Sequence, residues 1–175
     1  SLIVTPVIAY QHLAYMRSTD LGIQVDQVAV INALNFDKEK WSDAHGGYII
    51  DSTYLLKSER FKQEVRSHSG FVNVTALSHL PGQLPNWGTE FKSEQGNDDA
   101  HRLIAMGVDY DFLETLGINL LAGRNFSAAF PSDRGNEGKR AIMVNETAAR
   151  LLGFLTPDNA AGKHITTYWG ANYEI

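Results

Sequence analysis

At 175 residues, with 43% apolar and 20% charged residues, the chain has the length and composition of one medium-sized globular domain rather than of a disordered segment. Its formal net charge of −5, with no run of Lys or Arg, argues against nucleic-acid binding, which needs basic side chains to displace phosphate counterions. The absence of cysteine excludes disulfides, thiolate metal sites and a Cys nucleophile, and no stretch reaches the roughly 20 apolar residues that cross a bilayer.

The apolar residues 1–9 read either as a buried first strand or helix turn, or as the stub of a membrane helix. Residues 10–17 are predicted as helix, with Leu13 and Met16 three apart beside Tyr10, and Gly22 stops it. Residues 28–31 read as a strand, and His45, Gly46 and Gly47 mark a turn in the ambiguous stretch 41–54. Ser58 is placed to cap a helix over 60–66 whose Phe61 and Val65 share a face, with Gly70 beyond its end. Alternation of Val72, Val74 and Ala76 predicts a half-buried strand over 71–77.

Between 81 and 99 the composition turns rich in Gly, Pro and polar residues, which predicts a long hairpin or loop carrying a short strand at 89–92. Residues 102–108 read as a strand. Asp111 then caps a helix, with Glu114 completing a capping box, Phe112, Leu113 and Leu116 as its apolar face, and Gly117 as its stop. A strand is expected at 118–122, a surface loop at 127–138 and a core strand at 141–144. Asn145 is predicted to cap a helix over 146–152 closed by Gly153, and strands follow at 164–169 and from 173. Strands interleaved with short helices at irregular spacing predict an α+β fold with mixed or antiparallel sheet layers, in one body or two lobes.

Chemistry is sparse. Asp109 and Asp111 form a carboxylate pair of the kind used in acid–base work, although Asp111 has a structural post as a cap. The six histidines are scattered without metal-ligand spacing, and neither a phosphate-binding Gly loop nor a nucleophile elbow is present. Ser78 and His79 are adjacent, which alone is no nucleophile–base arrangement. Trp87, between Asn86 and Gly88 in a turn-rich stretch, is the candidate partner contact; Trp169 reads as either packed or exposed. No catalytic, cofactor-binding or metal residue is assigned.

One stretch says more. GVDYDFLETLGINLLAGRNF, residues 107–126, resembles the signature of the MacB-like periplasmic core domain found in FtsX-like ABC transporter permeases. AIMVNETAARLLG at 141–153 and AAGK at 160–163 continue the resemblance. Upstream, YQHLAYM at 10–16, DLG at 20–22 and QVAVI at 27–31 are similar to the stalk and first strand that follow a membrane helix there.

The resemblance implies a division into a membrane-helix stub and stalk helix, 1–17, and a periplasmic core domain, 18–175, with a variable insertion near 81–100. Of two such domains in some permeases, the N-terminal pattern looks more like the second, and a further strand-rich segment and a return helix are expected beyond Ile175. It also implies a non-catalytic domain on the periplasmic side of the bacterial inner membrane. There it couples membrane-helix movement, driven by a cytoplasmic ATP-binding subunit, to substrate export or engagement of a periplasmic partner, in a dimeric transporter without cofactors of this domain's own. The competing expectations are a soluble binding or interaction module unrelated to transport, and a small hydrolase built on Asp109 or Asp111.

Overall fold

The computed structural model describes residues 22–24, 27–31, 40–42, 47–49, 52–83, 88–96, 99–134 and 140–175. The fold is α+β. A small antiparallel pair, β1 (Lys40–Ser42) and β2 (Gly47–Ile49), precedes the longest helix among the described residues, α1 (Ser52–Ser67). The main sheet has five strands: β3 (Gly88–Ser93), β4 (His101–Ile104), β5 (Arg140–Ala141), β6 (His164–Thr167) and β7 (Asn172–Glu174). Their spatial order is β4-β3-β6-β7-β5. All neighbours are antiparallel except β5 and β7, which run parallel, so the sheet is mixed.

Three short helices punctuate the connections: α2 (Phe112–Thr115), α3 (Glu146–Leu151) and α4 (Pro157–Ala160), with a 3₁₀ turn at Pro131–Arg134. The period of two in β3 and β6 sends Thr89, Phe91, Ser93, Ile165 and Thr167 to the inner face, and all five are buried. Phe91 and Ile165 pack with Ala149, Leu152, Phe154 and Ala160, against a fringe of Leu103, Ile142, Val144, Tyr173 and Ile175. The Tyr173 ring meets Phe91 edge-on, with centroids 5.8 Å apart. The opposite face carries Glu90, Arg102, His164, Thr166, Asn172 and Glu174, all exposed, as an antiparallel sheet solvated on one side permits.

The predicted cap at Asn145 is present. Its side-chain oxygen accepts from Ala148 N at 2.8 Å, and Gly153 closes the helix at φ +88°. A Cβ at Gly153 would stand 3.0 Å from Gln95 O and 3.1 Å from Gly96 N, so this turn requires glycine for space as well as for its dihedral. Asn145→Ala is expected to lower unfolding free energy by about 1 kcal/mol, read as a lower urea midpoint at unchanged slope. Thr89 presents the opposite case. Its hydroxyl is buried and unpartnered among the described residues, so Thr89→Val should raise stability by about 1 kcal/mol, checked by the same titration.

Several predicted strands are not strands. Residues 28–31 are described without strand pairing, and Val28, Val30 and Ile31 are exposed. Residues 71–77 make only an isolated bridge, Leu77 to Val108, and Val72 is 102% exposed. Residues 118–122 form no strand pairing among the described residues, and Leu121 stands 63% exposed. Local pattern alone supplies no hydrogen-bonded neighbour, and among the described residues these segments find no strand to pair with beyond that single bridge. Conversely, α1 begins six residues before Ser58. The short strand expected at 89–92 is present as part of β3, which is paired on both sides. The predicted helix at 10–17, the membrane-helix stub and stalk over 1–17, and Trp87 lie outside the described residues.

Candidate functional site

α1 is a helix whose inner face is partly ionic. Spacings of three and four place Ser58, Phe61, Lys62, Val65 and Arg66 on one side, and these are its buried or half-buried members between 56 and 67. An ordinary amphipathic helix puts apolar groups along such a stripe. Here Val65 is accompanied by Lys62, only 3% exposed, and by half-buried Arg66 one turn on.

The reason stands across the interface. Asp109 and Asp111, two residues apart at the entry to α2, face these cations. Lys62 Nζ donates to Asp109 Oδ2 at 2.7 Å and lies 2.9 Å from Asp111 Oδ2 and 3.3 Å from Glu59 Oε1. Its three protons thus meet three carboxylates. Arg66 Nη2 lies 2.6 Å from Asp111 Oδ2, and it donates to Asn73 Oδ1 and Val74 O, each at 3.1 Å.

Asp109 is anchored independently of α1. Its carboxylate accepts from Thr75 Oγ1, from Ala76 N at 2.9 Å and from Asp111 N at 3.1 Å. Beside it, Ser78 N donates to Gly107 O and Gly107 N donates to Ser78 Oγ, both at 2.9 Å. Residues 73–78 and 107–111 are thereby stitched into one platform, which receives α1 through charge.

Burial would push the Lys62 ammonium down, but the hydrogen bonds and charges of Asp109 and Asp111 prevail and hold it above its ordinary 10.5. Burial would likewise raise Asp111, yet Lys62 and Arg66 hold it below its ordinary 3.8. Asp111, with its folded value depressed, contributes stability above the unfolded value and loses it as pH falls through the folded one. Lys62 contributes below its unfolded value and loses that as pH rises through its raised folded value. Lys62 and Asp111 therefore both stay charged across neutral pH. Asp111→Asn should flatten the acid limb: between about pH 5 and pH 2, the variant's urea midpoint should fall less than the parent's.

The capping role expected of Asp111 is not observed. It stands at the N-cap position of α2, but its side chain makes no capping hydrogen bond, because the carboxylate is turned toward Lys62 and Arg66. Asp109 and Asp111 do come together, as the sequence suggested, but with Asp109 bonded to internal donors on both oxygens and Asp111 Oδ2 taken by Lys62 and Arg66. A general base needs a free lone pair within reach of a substrate proton, and Asp109 already accepts from four donors.

Sequence reasoning missed Lys62 and Arg66, whose aspartate partners lie more than forty residues away. The available signal was two cations four apart on the stripe that also holds Val65.

A second ionic centre fixes the loop after α2. Arg124 donates to both oxygens of Asp133, at 2.6 and 2.8 Å, and its guanidinium lies 4.0 Å from the centre of the Phe130 ring. The Asp133 side chain is wholly buried and also accepts from Ser127 N and Ser132 Oγ. Arg124, then the cost of burial, then Ser127 and Ser132 set its carboxyl, with a net shift below the ordinary range.

Elsewhere chemistry is thin. Ser78 Oγ lies 3.0 Å from His79 Nδ1, but the same oxygen is held by Gly107 N. Among the described residues no group of three His, Cys, Asp or Glu is placed to hold a metal, and no helix is long and apolar enough to cross a membrane. On the surface, Tyr168 and Trp169 form an edge-on pair 4.7 Å apart at the β6–β7 turn, 71% and 52% exposed. Trp169, left open by the sequence, is thus a surface residue. Comparison with protein-family models, with curated proteins and with solved structures returns no match in any of the three.

Proposed function

We propose that this chain is the extracytoplasmic domain of an FtsX-like ABC transporter permease, of the MacB-like kind. It would couple membrane-helix movement, driven by a cytoplasmic ATP-binding subunit, to substrate export or to engagement of a periplasmic partner. One observation carries the reading. The two stretches that bear the resemblance, 107–126 and 141–153, supply framework residues whose polar groups are bonded internally. Asp109 and Asp111 receive α1, Arg124 grips Asp133, Asn125 donates to Tyr110 O, and Asn145 caps α3. A domain that transmits displacement needs such internal rigidity with discrete attachments, so that movement at one end arrives as a hinge or shear at the other.

The test is accessibility in the intact protein. Leu155 is 90% exposed and the chain contains no cysteine, so Leu155→Cys in the full-length protein offers one defined thiol here against the unsubstituted background. Labelling by a membrane-impermeant maleimide in cells with a permeabilised outer membrane, together with co-purification of an ATP-binding subunit, is the expected result. Labelling only after inner-membrane lysis would overturn the proposal. The exposed Tyr168–Trp169 pair favours a second reading, an interaction module unrelated to transport, because aromatic side chains with an apolar body and a polar tip anchor partners. Under that reading the full-length protein stays in the soluble fraction.

A further inference from the structure

The manner in which α1 is held differs from the way the rest of the fold is held. Among the described residues, the main apolar cluster is built from β3, β6, α3 with Leu152 and Phe154 just after it, and α4, with nothing from residues 56–67 of α1. What α1 inserts between 56 and 67 is buried Lys62, buried Val65 and half-buried Ser58, Phe61 and Arg66. The platform opposite offers two carboxylates to two cations, with Glu59 flanking on the helix itself.

The free energies of the two kinds of contact behave differently on separation. Exposing an apolar interface costs roughly 25 cal/mol for every Å² returned to water. Separating ion pairs loses Coulomb attraction but regains the hydration of each charge, and the two terms largely offset. A helix held by charge therefore detaches at lower net cost than one held by a comparable apolar area, and the surfaces it uncovers are mostly water-compatible.

Two further features favour detachment as a unit. Much of the platform is held without α1, since Thr75, Ala76 and the Asp111 amide hold Asp109, and Ser78 and Gly107 bond to each other, while Arg66 reaches only its Asn73–Val74 end. On the C-terminal side of α1, residues 67–72 are all exposed and include Gly70, where a Cβ would meet nothing within 4 Å. This stretch is suited to absorb a change of backbone direction.

We propose that α1 is a detachable arm that docks on and leaves the 73–78/107–111 platform through its Lys62–Arg66 charge contacts, pivoting at 67–72, while the five-stranded sheet stays folded. Lys62, with one carboxylate for each of its three protons, sets the register in which the arm returns. The inference stands on the docking geometry and does not require the transporter reading. If that reading holds, the arm is the element that hands displacement to the sheet.

Hydrogen exchange on the isolated chain tests it. In the double variant Lys62→Met with Arg66→Gln, amides of 58–67 should exchange about 100-fold faster than in the parent, while those of β3, β6 and β7 keep the parent's protection. Equal loss in the strands would overturn the proposal, since α1 would then belong to the same cooperative unit as the sheet. So would an unchanged α1, since the charges would not be what holds it.

A second measurement needs no destabilised variant. Spin labels on cysteines introduced at Gln63 and Thr166, both exposed, report the distance from arm to sheet in an otherwise cysteine-free chain. A second, longer distance appearing in urea below the main unfolding transition is expected. One distance persisting up to that transition would refute the arm.

Discussion

Replacing Phe154 by alanine is expected to lower unfolding free energy by about 4 kcal/mol, the largest loss of any single change discussed here. Phe154 is 2% exposed and belongs to the cluster that includes Phe91, Leu152 and Ile165. Its backbone N–H donates to Ala149 O directly after the Gly153 turn, so α3 and the turn fix where the ring enters. A side chain held from both directions leaves a void that neighbours cannot fill without moving α3 or β6. The measurement is urea unfolding followed by far-ultraviolet circular dichroism. Phe154→Leu, which keeps most of the volume, should lose less than half as much; equal losses would mean that shape rather than volume decides the site.

Lys62→Ala is the second large expectation, at about 3 kcal/mol. Removing the ammonium leaves Asp109 and Asp111 facing a space that Lys62 had filled, while Arg66 still pairs with Asp111. Lys62→Met restores the bulk of the stem without the charge, so the difference between the two variants separates packing from electrostatics. If α1 is a releasable arm, both losses are capped at the free energy of docking, because the arm can leave rather than remain over unpaired carboxylates. A cap should appear as α1 unfolding ahead of the sheet in both variants, resolved by amide exchange.

What could be foreseen from the residues followed the range of the interaction. Asn145 and Gly153 act within one helical turn, so their spacing sufficed to predict α3 and its ends. The strand expected at 89–92 is paired in the main sheet, and that expected at 164–169 is paired over 164–167 and then turns; both alternate as a sheet with one buried face requires. The α4 turn carried an equally local signal that went unread: Thr156 accepts from Asn159 N, and Pro157 occupies the first position, where its missing N–H costs nothing.

Failures came where distant residues decide. Asp111 and Glu114 have the spacing of a capping box, but cations from a helix more than forty residues earlier draw the carboxylate away. Residues 71–77 have the alternation of a strand and 118–122 the apolar content of one, and no local rule supplies the neighbouring strand that either would need. The candidate site is itself of this kind. Asp109 and Asp111 were visible as a pair, whereas their partners on α1 follow only from the tertiary arrangement.

The position of β3 bears on how the chain becomes structured as it leaves the ribosome. β3 and β4 are close in sequence and can form a hairpin early, but the other edge of β3 waits for β6, and the Phe91–Thr167 pairing joins residues far apart in the chain. Until translation reaches β6, that edge offers unpaired amides and carbonyls beside the apolar Phe91 ring. Nascent chains stalled shortly before His164 should therefore recruit holding chaperones, and those that have emerged past Glu174 should release them.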